Sequence, residues 1–152
     1  MSKDFLPTAL NSHFNPSAMA LVKVKILETI IEQFHSPVVA GLSYMAKLNK
    51  LTIYYHSNGN EGIDYEIIFE NPRGFRLLDE GDMYNYWEGE LMLNNWLFGI
   101  ESGGWLDRED DAGGFISKAL GFCEFLITGT DDCVSVISHS EPIIRKHEEI
   151  FE

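Results

Sequence analysis

The sequence predicts an α+β domain. An antiparallel sheet, made of a meander and a C-terminal hairpin, is expected to pack against an N-terminal helix and a few short helices. Three observations predict it. Between residues 16 and 35, Leu21, Val24, Leu27, Ile31 and Phe34 recur at three- to four-residue spacing, the period of a helix with one buried face. Between residues 38 and 78, short β-branched and aromatic runs alternate with turn residues, as in hairpin-linked strands. Two apolar runs, 122–128 and 133–138, flank Gly129-Thr130-Asp131-Asp132, a second hairpin pattern.

In order along the chain, residues 1–15 are expected to form a loose arm. Pro16-Ser17 opens the helix, and Ser36-Pro37 closes it, because the residue before proline is driven out of the helical region. The alternation Lys23-Val24-Lys25-Ile26 is compatible with a strand, but the apolar spacing of the whole segment favours the helix. Strands follow at 38–44 and 51–55. Ser57-Asn58-Gly59-Asn60 turns the chain into a partner strand at 64–69, and Asn71-Pro72-Arg73-Gly74 leads into a short strand at 75–78. Asp79-Glu80-Gly81-Asp82 precedes an aromatic run, an acidic helix start that complements the dipole. A strand is expected at 96–100, continued or bulged through Gly103-Gly104-Trp105-Leu106. Residues 107–114 read as an exposed loop, 115–120 as one helical turn or more, and the segment after Pro142 as weakly helical. No linker or repeat divides the 152 residues, so residues 1–152 are expected to form one domain.

Residues 1–7 carry an acid at Asp4 and a proline at Pro7 and lack the apolar core of a signal peptide. No apolar run reaches the roughly 18 residues needed to span a bilayer. Cys123 and Cys133 in an acidic chain fit a reduced, cytoplasmic protein, with both thiols as small buried groups.

Charge is the unusual property. The chain carries 24 acids against 11 bases, a net −13. Direct binding of nucleic acid or of an anionic membrane is disfavoured, since both need a basic surface. Residues 61–111 hold 14 of the acids and only Arg73, Arg76 and Arg108 as bases, and no lysine lies between Lys50 and Lys118. Such a one-sign field repels itself in the isolated protein and speeds encounter with a basic partner by roughly 10–1000-fold. Tyr and Trp are preferred interface anchors, and several lie among these acids. Charge and aromatic content together select Asp79, Glu80, Asp82, Tyr86, Trp87, Glu88, Glu90, Trp105, Asp107, Glu109, Asp110 and Asp111 as partner-binding residues. Arg73 and Arg76 are expected to pair internally with neighbouring acids.

Catalytic patterns are missing from the sequence. It contains no phosphate-binding glycine loop, dinucleotide fingerprint, nucleophile elbow or zincin helix. His139-Ser140-Glu141 opens a zinc-deaminase pattern whose paired cysteines do not follow. His13, His35, His56, His139 and His147 have no metal-ligand spacing. Asp107 to Asp111 suggests a calcium loop, but Ala112 and Lys118 occupy the positions that need Gly and Glu. No catalytic residue, metal or cofactor is therefore assigned.

Seven segments stand out: Ser36-Pro37-Val38, Ile68-Phe69-Glu70, Phe75-Arg76-Leu77-Leu78-Asp79-Glu80-Gly81-Asp82, Tyr86-Trp87, Ser102-Gly103-Gly104-Trp105-Leu106, Phe125-Leu126-Ile127 and Asp132-Cys133-Val134-Ser135-Val136. In these the chain resembles bacterial immunity proteins encoded beside polymorphic toxins of contact-dependent or secreted delivery systems. The resemblance implies a cytoplasmic, non-enzymatic antitoxin that occludes the active site of one cognate toxin domain, often a basic nuclease. It transfers no binding residue. Two alternatives stand beside it: a small acidic hydrolase or ligand-binding enzyme using clustered carboxylates, and a subunit of a larger assembly.

Overall fold

The computed structural model describes residues 22–27, 35–58, 63–86 and 95–147. It corrects the expected class. Among the described residues 52% are in strands and 12% are helical, and the strands form two antiparallel sheets packed face to face. Four short strands make one sheet: β2 (Val38–Met45), β3 (Lys50–His56), β4 (Tyr65–Glu70) and β9 (Ile143–Lys146), in the order β2-β3-β4-β9. The other contains β1 (Lys23–Ile26), β5 (Gly74–Asp79), β6 (Leu97–Ser102), β7 (Cys123–Thr128) and β8 (Asp132–Ser138), in the order β1-β6-β7-β8-β5.

The expected N-terminal helix is not found where its middle is described. Residues 23–26 form edge strand β1, paired antiparallel with β6; residues 16–21 and 28–34 lie outside the described residues. Leu21, Val24 and Leu27 satisfy a helical spacing, yet a strand buries Val24 equally well. The Lys25 stem lies across Gly99, where an added Cβ would stand 2.9 Å from Lys25 Cε. The C-terminal segment is likewise strand β9 rather than a helix, pairing Ile144 with Ile67 and Arg145 with Glu66.

The meander is real for β2-β3-β4, with register Val39↔Tyr55 and Ile53↔Ile67. It stops there. Asn71, at φ 56°, turns the chain out of the sheet, a backbone region that asparagine tolerates, and β5 joins the other sheet beside β8. The hairpin β7-β8 forms as expected, pairing Phe125 with Val136 and Ile127 with Val134.

The core between the sheets draws Val39, Leu51, Ile53, Tyr55, Ile67 and Phe69 from one and Leu97, Phe125, Ile127, Val134 and Val136 from the other, with Trp96 just ahead of β6. Tyr55 packs at a tilt against Trp96, ring centroids 4.7 Å apart, and its hydroxyl donates to the Thr128 carbonyl at 2.7 Å, so one buried ring ties both layers. Burial holds the Tyr55 phenol well above its ordinary pKa.

The five-stranded sheet is buried on its second face too. Phe98, Leu126 and Cys133 pack there against Val22, Met83 and Tyr86. Strands covered on both sides read as continuous apolar runs, as β7 and β8 do. The covering layer consists of two 3-10 turns, Glu80–Asp82 and Tyr84–Tyr86, and helix α1 (Trp105–Asp111). Helix α1 replaces the loop expected at 107–114 and the strand continuation expected at Gly103 to Leu106. Residues 117–121 are turns, and Leu120 and Phe122 both donate to the Ser117 carbonyl.

Candidate docking surface

The covering layer brings two acidic segments to the same side of the molecule. Residues 79–86 and 103–111 hold seven carboxylates and one base, Arg108. The segments touch: with its amide oxygen turned toward Arg108, Asn85 accepts both guanidinium nitrogens at 2.9 Å.

Asp79 ends β5 and caps the next turn by accepting the Gly81 N–H at 2.8 Å, the geometry that favours aspartate at such positions. Asp79 stands opposite Asp132 in the β5-β8 register, and the Glu80 N–H donates to the Asp131 carbonyl at 2.8 Å. The hairpin tip therefore adds Asp131 and Asp132 to Asp79, Glu80 and Asp82, two acids the sequence analysis did not select. Like charges opposite each other on neighbouring strands are unfavourable. Their shared field reaches Cys133: burial first, then Glu80, Asp132 and Asp79, raise its thiol to about 11 against the hydrogen bond from Gly129. That thiol stays protonated and unreactive at neutral pH. Cys133 is buried as expected, whereas Cys123 is exposed.

Other selected residues are used internally. Tyr86 is buried, and its hydroxyl donates to Glu124 Oε2 at 2.5 Å while accepting the Trp105 N–H at 2.7 Å. Trp105 is half-buried, with the Arg76 guanidinium 4.9 Å over its ring and Phe115 at its edge. Arg76 and Arg73 thus stack on Trp105 and Phe122, and among the described residues neither forms the close carboxylate pair expected for it. Asp107 accepts the Gly103 N–H at 2.8 Å and lies 3.1 Å from Lys118. Partial burial raises its carboxyl, but these two partners more than compensate and hold it below its ordinary value. Glu109 and Asp110 are half-buried and Asp111 is exposed. Trp87, Glu88 and Glu90 lie outside the described residues.

Among the described residues, the aromatic that faces solvent beside the acids is Tyr84, 81% exposed. Tyr84 and Tyr86 are two apart in one tight turn, so only one can point at the sheet.

Two carboxylates of the other sheet's side have close partners among the described residues. Glu66 binds Arg145 at 2.8 Å, and Asp64 accepts from the Ser57 N–H and hydroxyl. Edge strands β1 and β9 carry Lys23, Lys25, Arg145 and Lys146, with β1 at the opposite edge of its sheet from β5. Lysines on edges also resist strand-to-strand aggregation.

A cavity of about 470 Å³ opens beside β6 and β7, lined by Lys25, Glu101, Cys123, His139 and Glu141 among others. Among the described residues, no group of three or more His, Cys, Asp or Glu is arranged to hold a metal ion, and no helix is long and apolar enough to cross a membrane.

No known family matches this chain. No characterised protein and no solved structure is significantly similar to it either.

Proposed function

We propose that this protein is a cytoplasmic immunity protein that binds and neutralises a cognate cationic toxin domain, of the basic nuclease type, by covering its active site. One observation carries the reading: Asp79, Glu80, Asp82, Glu109, Asp110 and Asp111 share the outer layer of the five-stranded sheet, where among the described residues they outnumber the bases beside them, Arg108, Arg76 stacked on Trp105 and Lys118 held by Asp107, while Lys23 and Lys25 sit on that sheet's far edge. A surface that gathers one sign of charge steers an oppositely charged protein into register. Exposed Tyr84 supplies an aromatic anchor within it. The acids imitate the charge of the nucleic acid that such a toxin would otherwise bind.

The test is co-expression with the protein encoded immediately upstream, followed by pull-down and growth rescue. The expected result is a stoichiometric complex and restored growth. Growth arrest despite stable expression of the chain would overturn the reading.

A second reading, an acidic enzyme, draws on the cavity beside β7, where Cys123 and His139 lie among Glu101 and Glu141. Replacing Cys123 and His139 would abolish function on that reading and leave toxin protection intact on the first.

A further inference from the structure

Glu124 is 2% exposed, on the face of β7 that the acidic layer covers. Among the described residues, no cation lies at hydrogen-bond distance. Its carboxylate is instead enclosed by the covering layer: Oε2 accepts from the Tyr86 hydroxyl at 2.5 Å and Oε1 from the Leu106 N–H at 2.8 Å. The Trp105 N–H donates in turn to Tyr86 Oη at 2.7 Å. Gly104 leaves the space, since a Cβ there would stand 2.6 Å from Oε1. Burying a carboxylate is costly unless hydrogen bonds repay it, and these bonds all come from the two acidic segments.

The amides of Trp105 and Leu106 begin α1. First-turn amides have no acceptor within their own helix; the earliest intrahelical bond here runs from the Arg108 N–H to the Gly104 carbonyl. Tyr86 and Glu124 satisfy the two orphans from outside.

We propose that Glu124 and Tyr86 are positioning residues, which clamp the start of α1 and the turn Tyr84–Tyr86 onto the five-stranded sheet and so set the spacing of the acidic layer's two halves. Its significance for binding rests on the docking reading; the clamp itself does not. Around the carboxylate stand Tyr86 from the 3-10 turn, Asp107 from α1 and Arg76 from β5, while β6 and β8 present the apolar Ile100 and Ile137. Burial makes the closed clamp bind a proton more tightly than an open, solvated one. The clamp is therefore firmer when Glu124 is protonated.

Amide hydrogen exchange by NMR on the full chain, with no partner present, tests the clamp. Trp105 and Leu106 amides are expected to be strongly protected, although they begin a helix of seven residues. Tyr86→Phe should speed Trp105 exchange at least tenfold relative to amides of Leu126 and Val134. Wild-type protection at Trp105 and Leu106, corrected for intrinsic exchange, should rise as pH falls through an inflection above the ordinary glutamate value, and Glu124→Gln should lose that inflection. Unprotected Trp105 and Leu106 amides in the wild type would overturn the proposal, as would equal acceleration of core and clamp amides in Tyr86→Phe. A pH inflection that survives in Glu124→Gln would do the same. Failure of toxin binding would leave these results unchanged, so the two readings fail separately.

Discussion

The ammonium of Lys118 lies 3.1 Å from Asp107 Oδ1. The first lysine after Lys50 thus returns to the acidic layer, where Asp110 and Asp111 also act on it. The contact with Asp107, ahead of those neighbours, raises the Lys118 pKa. Lys118 tempers a field that the docking reading needs strong. Lys118→Gln is expected to speed association with a cationic partner by about twofold, as read by stopped-flow mixing. Slower association would show that the lysine itself contacts the partner.

Neutralising Asp79, Glu80 and Asp82 together to Asn, Gln and Asn should slow association about tenfold and change dissociation little, as steering predicts. Glu70→Gln serves as the control, because Glu70 is exposed at the end of β4 in the other sheet. An effect of Glu70→Gln equal to that of the triple variant per charge removed would mean that only net charge matters, not the layer.

Tyr84 and Tyr86 should separate cleanly. Tyr84→Ala should leave the melting temperature unchanged, since its side chain is largely in solvent, and weaken binding by about 1–2 kcal/mol, a typical aromatic hot-spot loss. Tyr86→Phe should cost about 1–3 kcal/mol of folding stability by leaving a Glu124 oxygen and the Trp105 amide unmatched. Urea denaturation and titration calorimetry read the two effects.

Burial raises the Glu124 carboxyl above its ordinary value of 4.5, against the lowering by Tyr86, Leu106 and Arg76. Between that ordinary value and the elevated one, the folded chain holds a proton that the unfolded chain has released. Folded stability from this group therefore rises as pH falls through the window and levels off below 4.5. Glu124→Gln should remove this slope, so the stability difference between variant and wild type should change with pH over that range only. Urea midpoints measured from pH 4 to 8 check the sign.

Gly104→Ala places a methyl 2.6 Å from Glu124 Oε1 and 2.7 Å from Ile100 Cγ2. Overpacking of this kind costs about 1–3 kcal/mol. A melting temperature equal to the wild type's would show that the clamp yields easily.

Strands β2, β3, β4, β7 and β8 were legible because turn residues punctuate them and their β-branched residues suit a pleated surface. Class was misread at the two ends. Val24 and Leu27 meet a helical period, but Val24 packs against the second core cluster and Leu27 against the first, through long-range pairing that a local pattern does not contain. Ile143 and Ile144 likewise acquire strand geometry from β4. Helix α1 was hidden by its four acids, which read as a solvated loop until Tyr86 and Glu124 cap its start. The acidic layer was half legible. Its charge density was visible in the chain, but the contribution of Asp131 and Asp132 depends on β5 crossing to pair with β8. Tyr86 and Trp105 were selected by residue type alone, which carries no information on facing. Glu124 did leave a trace, as a lone charge within Phe122-Cys123-Glu124-Phe125-Leu126-Ile127.

The most direct measurement of the central claim is the association rate with the co-encoded toxin domain as ionic strength rises from about 0.01 to 0.15 M, over which the screening length shrinks from about 30 to 8 Å. If the acidic layer is the docking face, the rate should fall at least tenfold, and the triple variant of Asp79, Glu80 and Asp82 should show a much flatter dependence. A wild-type rate indifferent to salt, or a variant as salt-sensitive as the wild type, would contradict it.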